Sequence, residues 1–200
     1  VGAREIGYLF GMYKKIRNEF TGVLTGKGLA YGGSLIRPEA TGYGVVYFAE
    51  QMLKTIGEKI EGKTATVSGF GNVAWGVVKK FTELGGKVLT ISGPDGYIYD
   101  KDGISGEKIE YLLELRATGN NRAEDYVTKY PSAEFNAGKR PWEVKCDVAF
   151  PCATQNELDL EDAKKLVANG CICVTEAANM PSTLDAINYF LDNKVLFSPG

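Results

Sequence analysis

Apolar residues recur at helical spacing in two segments near the start of the chain. Residues 6–20 carry such a stripe opposite lysine, arginine and asparagine side chains, which predicts an amphipathic helix. Residues 45–56 carry a second stripe, which lies after Pro38 and before Gly57 and predicts a second helix. Between the two, residues 21–44 hold seven glycines without periodicity, so we expect an extended loop with a defined shape there.

From Lys63 onward, short β-branched runs alternate with helical segments. This alternation favours an α/β fold, specifically a Rossmann-like, doubly wound, mainly parallel sheet with helices on both faces. Residues 120–140 are a polar exception, where we expect a surface helix at residues 123–130 and a loop. The predicted strands are residues 64–68, 87–92, 146–150, 171–175 and 195–197, and the predicted helices are residues 73–84, 105–117, 160–168 and 183–191.

The composition narrows the range of functions. The chain has 200 residues, of which 44% are apolar, enough for a buried core. Its 23 positive and 25 negative side chains are scattered and sum to −2, so no basic stripe is present for nucleic acid or an anionic membrane. The longest stretch without a charge, residues 64–78, is 15 residues long and falls short of the ~20 needed to cross a bilayer. We therefore predict no nucleic-acid partner and no membrane partner.

The side chains available for chemistry are limited, because histidine is absent. Its absence removes the commonest general base and most transition-metal sites, and we predict no metal site. The four cysteines, Cys146, Cys152, Cys171 and Cys173, lie in apolar surroundings without a C-x-x-C spacing, which is typical of buried reduced thiols. With no signal peptide, this cysteine usage favours a cytoplasmic location.

A glycine-rich turn follows the first predicted strand. Residues 69–74 fit the pattern G-x-G-x-x-A between a strand and a helix, where Gly69 allows a tight turn and Gly71 leaves room for a pyrophosphate against the backbone. The N–H groups and dipole of the helix start would then hold the anion. The alternative is that the glycines only serve the turn. We expect a dinucleotide site here, formed by Gly69, Phe70, Gly71, Asn72 and Val73.

Asp95 is the candidate for selecting the dinucleotide. It follows the second predicted strand, where such folds place an acid that hydrogen-bonds the adenosine 2′-hydroxyl, but it comes two residues later than expected. Asp95 therefore either bonds the ribose or closes the turn. No Arg or Lys occurs between Lys87 and Lys101 to neutralise a 2′-phosphate, so NAD is favoured over NADP as the cofactor.

Six separated motifs resemble the coenzyme-binding domain of the hexameric microbial glutamate dehydrogenases. The resemblance runs the whole length of the chain. It leads us to assign residues 1–200 to one dinucleotide-binding domain, with a helical segment at residues 1–60 and a Rossmann core at residues 61–200. The motifs are VGAREIG at 1–7, LTGK at 24–27, GGSLIRPEATGYG at 32–44, the glycine turn at 69–74, PCATQN at 151–156 and ANMP at 178–181.

The resemblance implies reversible oxidative deamination of L-glutamate to 2-oxoglutarate and ammonia, with hydride transfer to NAD and assembly into a homo-hexamer. It also implies that the catalytic lysine and aspartate precede Val1, so we expect no catalytic residue within this piece of a longer chain. A related branched-chain or aromatic amino-acid dehydrogenase is the nearest alternative. A transferase using S-adenosylmethionine and a non-catalytic nucleotide-sensing module are alternatives of other classes.

By position in the motifs, the resemblance implies further contacts with the cofactor. Thr41 would meet the nicotinamide amide, and Asn72 the dinucleotide at the glycine turn. Thr41 and Asn179 also have structural explanations, since Thr41 could cap a helix and Asn179 could hold a turn. Arg37 fits a structural ion pair better than a substrate contact. The remaining implied contacts are Cys152, Ala153 and Thr154 on the adenosine side and Asn179 at the nicotinamide ribose.

Overall fold

A computed structural model describes residues 2–35, 37–118 and 122–200. The chain divides into two compact units, Val1–Arg37 and Pro38–Gly200. In the first unit, helix α1 spans Ala3–Arg17 and a 3₁₀ turn spans Leu29–Tyr31. This division falls inside the predicted helical segment of residues 1–60, and the assignment of the whole chain to one dinucleotide-binding domain remains a prediction.

The second unit consists of alternating helices and strands. Helix α2 begins at Ala40, inside the segment where we expected the glycine-rich loop to continue to Gly44. The regular elements are α2 (Ala40–Thr55), β1 (Thr64–Val67), α3 (Asn72–Glu83), β2 (Lys87–Val88), β3 (Thr90–Gly93), β4 (Gly96–Tyr99), α4 (Glu107–Ala117), α5 (Asp125–Lys129), β5 (Glu134–Ala137), β6 (Val148–Phe150), α6 (Leu160–Ala168), β7 (Cys173–Thr175), α7 (Leu184–Asp192) and β8 (Leu196–Ser198).

Five parallel strands form the central sheet, in the order β2-β1-β6-β7-β8. Neighbouring residues of β6 point to opposite faces of this sheet, as a strand requires. Val148 and Phe150 join an apolar cluster with α2 and α3, whereas Ala149 joins a second cluster with α6 and α7. Helices therefore cover both faces, and the predicted doubly wound α/β fold is confirmed.

A second, antiparallel sheet of β3, β4 and β5 was not predicted. The expected strand at residues 87–92 is divided into β2 and β3, and β3 leaves the central sheet to form a hairpin with β4. Residues 134–137 form β5 and pair with β4, although their polar character indicated a loop. In a short edge strand of this kind, pairing with the neighbouring strand outweighs a weak apolar alternation.

The segment at residues 120–140 is less exposed than we expected. Helix α5 covers only five of the eight residues predicted for it, and Ala123 and Tyr126 are fully buried. The Tyr126 hydroxyl donates to the buried Asp100 carboxylate at 2.7 Å, and the Lys108 ammonium lies 2.7 Å from the same carboxylate. Because its hydroxyl has a buried partner, the Tyr126 ring can lie in the core, whereas the local sequence pattern had indicated a surface position. Part of this prediction, residues 120 and 121, lies outside the described residues.

Helices α2 and α3 cross in close contact because small residues lie at the crossing. A Cβ atom added at Gly42 would lie 2.5 Å from the Val73 carbonyl oxygen and 2.5 Å from the Val77 nitrogen. Gly76 lies opposite, with its own Cβ position 3.0 Å from the Glu39 carbonyl oxygen. By contrast, a Cβ at Gly44, two residues further along α2, would meet nothing within 4 Å.

We expect Gly42→Ala to lower the free energy of unfolding by about 2 to 4 kcal/mol, because the methyl group would force the helices apart. Gly44→Ala on the same helix should raise it by about 0.5 to 1 kcal/mol, since alanine has the better helix propensity and space is available. Urea denaturation followed by circular dichroism measures both values. Equal effects of the two substitutions would contradict the close packing.

Candidate functional site

The candidate site lies at the carboxyl edge of the central sheet. Strands β1 and β6 are neighbours, but the chain runs from β1 outward to β2 and from β6 in the opposite direction to β7. The loops that follow β1 and β6 therefore separate and leave a crevice between them. In open α/β sheets, ligands bind in the crevice at such a topological switch point.

The two glycines of the turn have different physical roles. Gly69 adopts a φ of +87°, and an added Cβ would lie 2.8 Å from the Cys152 carbonyl oxygen, so the turn after β1 contacts the loop after β6. Its N–H donates to the Ser92 hydroxyl oxygen at 2.8 Å. Gly71 has an ordinary φ of −98° and is the N-cap of α3, and a Cβ there would meet nothing within 4 Å. Gly69 is thus required by the fold, whereas Gly71 faces open space.

The start of α3 offers positive charge to that space. Asn72 is the first residue of the helix, no side chain among the described residues caps the N-terminus, and the half-buried Val73 follows. Uncapped N–H groups at a helix start attract anions, and the helix dipole adds to the effect. The Arg116 guanidinium, from α4, donates to the Asn72 side-chain oxygen at 2.5 Å. The sequence did not point to Arg116, because positive side chains were expected only near Asp95, between Lys87 and Lys101.

Phe70 lies on the other side of the turn, against α4. It is half-buried and, with Gly71, borders a narrow apolar cleft of about 10 Å³ between α3 and α4. This cleft lies beside the turn on the β2 side of the switch point, and its free space is too small to admit a ligand group. Its other lining residues are Trp75, Val78, Ile91, Ile109, Leu112, Leu113 and Arg116.

Of the three site residues predicted in the loop after β6, two are exposed and one is buried. Ala153 and Thr154 are exposed and line a cleft of about 490 Å³ that Asn179 also lines. Cys152 is buried, its thiol donates to the Phe150 carbonyl oxygen at 3.3 Å, and burial raises the pKa of that thiol well above its usual value. The Cys152 side chain therefore contributes to packing, while its backbone shapes the crevice.

Thr41 and Asn179 both line a neighbouring cleft of about 480 Å³, between α2 and the loops after β7 and β8. Both are exposed. Thr41 is the second residue of α2, with Glu39 as the N-cap and no side-chain cap, so its hydroxyl is not the capping group. Glu176, which sequence reasoning missed, lies buried beside this cleft and accepts hydrogen bonds from the N–H groups of Ser182 and Gly200 at 3.2 and 3.0 Å.

Asp95 lies in the two-residue turn of the β3–β4 hairpin. Its carboxylate oxygens accept hydrogen bonds from the N–H groups of Ala123 and Glu124, each at 3.2 Å. These contacts favour a structural role for Asp95, the second of the two alternatives that the sequence left open. Ser92, the next-to-last residue of β3, uses its hydroxyl to accept the Gly69 N–H.

The described residues contain neither a grouped set of metal-ligating side chains nor a helix that could cross a membrane. In the part of the chain that the structure describes, no three cysteine, aspartate or glutamate side chains are grouped as a metal ion would require. The four cysteines are buried and unbridged. No described helix has the length and hydrophobicity that a membrane crossing requires.

A doubly wound parallel sheet with a glycine turn opening a helix at its switch point defines the class of Rossmann-like α/β proteins. Residues 32–200 match the family described as Glutamate/Leucine/Phenylalanine/Valine dehydrogenase, and the chain belongs to this family. The resemblance inferred from the sequence motifs is thereby confirmed at the level of the family.

Individual relatives cover the whole chain. It is 63% identical to the NAD-specific glutamate dehydrogenase of Bacteroides fragilis and 58% identical to that of Porphyromonas gingivalis, and it spans 45% of the length of each. The crystal structure of Plasmodium falciparum glutamate dehydrogenase superimposes on all of it with a TM-score of 0.88 at 50% identity, and the chain spans 43% of that protein. The chain therefore corresponds to a little under half of these relatives.

The two motif glycines should respond differently to a methyl group. We expect Gly69→Ala to lower the free energy of unfolding by about 2 to 4 kcal/mol, because the positive φ and the Cys152 carbonyl both oppose a side chain. Gly71→Ala should change it by about 0.5 kcal/mol or less. Urea denaturation tests both, and a large loss of stability in Gly71→Ala would show that Gly71 does not face open space.

Proposed function

We propose that the carboxyl edge binds NAD and that the whole protein containing this chain is an NAD-dependent glutamate dehydrogenase. The observation that carries the proposal is the uncapped start of α3 beside Gly71, with the Arg116 guanidinium 2.5 Å from the Asn72 side chain. An anion at this point would gain backbone N–H groups, a helix dipole and a full positive charge.

The residues at this edge fit a dinucleotide by shape and by donor type. A Cβ at Gly71 would occupy the space that a pyrophosphate needs against the backbone, and glycine leaves that space empty. Exposed Ala153 and Thr154 would border the adenosine, and Thr41 and Asn179 would offer donors and acceptors to the nicotinamide carboxamide and ribose. When bound, the nicotinamide ring would accept the hydride from the substrate carbon.

For the reaction, we propose oxidative deamination of L-glutamate to 2-oxoglutarate and ammonia. This rests on family membership and on relatives that are named glutamate dehydrogenases. A branched-chain or aromatic amino-acid substrate remains the alternative, since the family description also includes leucine, phenylalanine and valine. The side chains described here hold and orient the cofactor, and we propose that the acid–base groups belong to the rest of the whole protein. A homo-hexameric assembly and a cytoplasmic location also stay predictions.

A fluorescence titration with NADH tests the cofactor proposal. The full chain should show saturable binding, and Gly71→Ala should weaken it by at least about tenfold, because the methyl group would displace the pyrophosphate from the N–H groups. Unchanged unfolding of the variant controls for its integrity. Absence of saturable binding by the unsubstituted chain up to millimolar NADH would contradict the proposal.

The preference for NAD over NADP is a separate prediction. NAD should bind several-fold more tightly at low salt, because the Asp95 carboxylate repels a 2′-phosphate near the end of β3. Asp95→Asn should narrow the difference while its remaining carbonyl oxygen keeps one of the two backbone contacts. Calorimetric titrations with both dinucleotides measure the ratio, and equal affinities in the unsubstituted chain would contradict it.

A further inference from the structure

A buried glutamate with no assigned role lies beneath the crevice. Glu157 is only 7% exposed and lies in the loop between β6 and α6. One oxygen of its carboxylate, Oε1, accepts a hydrogen bond from the Ser68 hydroxyl at 2.8 Å and a second from the Ala153 N–H at 2.9 Å. Ser68 comes directly before Gly69 in the glycine turn, and Ala153 borders the candidate adenosine cleft.

These hydrogen bonds form a chain that joins the two sides of the switch point. The fully buried Ser68 hydroxyl donates to Glu157 and accepts the Cys152 N–H at 2.8 Å, so both its donor and an acceptor position are used. Glu157 thus bonds directly to Ser68 in the turn after β1 and to Ala153 in the loop after β6. It reaches Cys152 through the Ser68 hydroxyl. Buried polar networks whose members are hydrogen-bonded rigidify the backbone and specify one arrangement of it.

Packing alone does not explain this carboxylate. Two of the other buried acids, Asp100 and Asp162, have lysine or arginine partners within 4 Å, whereas Glu157, like Glu176, is in none of the ion pairs formed within the described ranges. Burial raises the pKa of the Glu157 carboxyl, and the hydrogen bonds from Ala153 and Ser68 and the charge of Arg140 lower it only in part. A buried carboxylate without a counter-ion is costly, and such costs are concentrated at functional sites.

We propose that Glu157 is a positioning residue for the dinucleotide, holding residues 152–154 against the glycine turn so that the crevice is preformed. This proposal rests on the proposed function. Without the carboxylate, the Ser68 hydroxyl and the Ala153 N–H would lose their acceptor, and the loop would have to be ordered during binding. Glu157 is buried and is not among the residues that line the clefts described above, so we expect its effect to be on affinity and not on the chemical step.

Calorimetric titration of the full chain with ADP-ribose tests this role, because ADP-ribose carries the adenosine and pyrophosphate without redox chemistry. Glu157→Ala should weaken binding by about tenfold, since both loop contacts are lost. Glu157→Gln keeps an oxygen at the Oε1 position and should stay within about threefold of the unsubstituted chain. Asp162→Asn is the matched control: it removes the charge of another buried carboxylate, which the Arg140 guanidinium contacts at 3.5 Å, and it should leave the affinity unchanged.

The same network predicts coupling with Ser68. Ser68→Ala should weaken ADP-ribose binding about as much as Glu157→Ala does, and the double substitution should cost little more than either alone. Hydrogen exchange of residues 151–156 should quicken in both variants and not in Asp162→Asn. In the whole protein, Glu157→Ala should raise KM for NAD about tenfold and leave kcat within about twofold.

The outcomes separate this proposal from the proposed function. If the unsubstituted chain does not bind ADP-ribose, the proposed function is wrong and this inference falls with it. If it binds and Glu157→Ala and Ser68→Ala bind equally well, the inference alone is wrong. A loss in Glu157→Ala that glutamine does not restore would also overturn it, as would a loss of kcat with an unchanged KM.

Discussion

Gly69 lies where the ends of β1 and β6 come closest, and the arrangement of the whole carboxyl edge depends on that approach. Its φ of +87° turns the chain sharply after β1, and the missing side chain lets the turn pass within contact of the Cys152 carbonyl. A side chain here would push apart two strands that are hydrogen-bonded neighbours in the sheet. Because the strands stay paired up to this point and the loops diverge just beyond it, the crevice has a narrow, fixed floor.

The polar groups around the crevice divide into two kinds. Most N–H groups of the loops after β6 and β7 are taken up inside the protein: Cys152 donates to Ser68, Ala153 donates to Glu157, and Ala177 and Ala178 donate to the Pro151 carbonyl. The start of α3 has no side-chain cap and is accompanied by the Arg116 guanidinium. Positive potential is therefore concentrated at the glycine turn, which gives an anionic ligand one preferred position along the edge.

The parts of this structure that sequence could predict are those fixed by near neighbours in the chain. The glycine turn, the parallel strand–helix alternation and the Asp159 cap of α6, whose side chain accepts the Asp162 N–H at 3.0 Å, each depend on a few consecutive residues. The Thr183 hydroxyl likewise caps α7 by accepting the Ala186 N–H at 3.4 Å. Arg116 and Asn72 are 44 positions apart, and only the packing of α4 beside α3 brings them together. No local pattern carries such information.

Asp95 illustrates how a motif position and a structural role can coincide. Its carboxylate is hydrogen-bonded to two backbone N–H groups, so it is held in place whether or not a ligand is present. Hydrogen bonds from neutral amides stabilise a carboxylate without removing its charge, so the side chain still repels a nearby phosphate. The amides therefore fix the position of the negative charge in the hairpin turn. A charge fixed in advance discriminates between ligands at a lower entropic cost than one that must be ordered on binding.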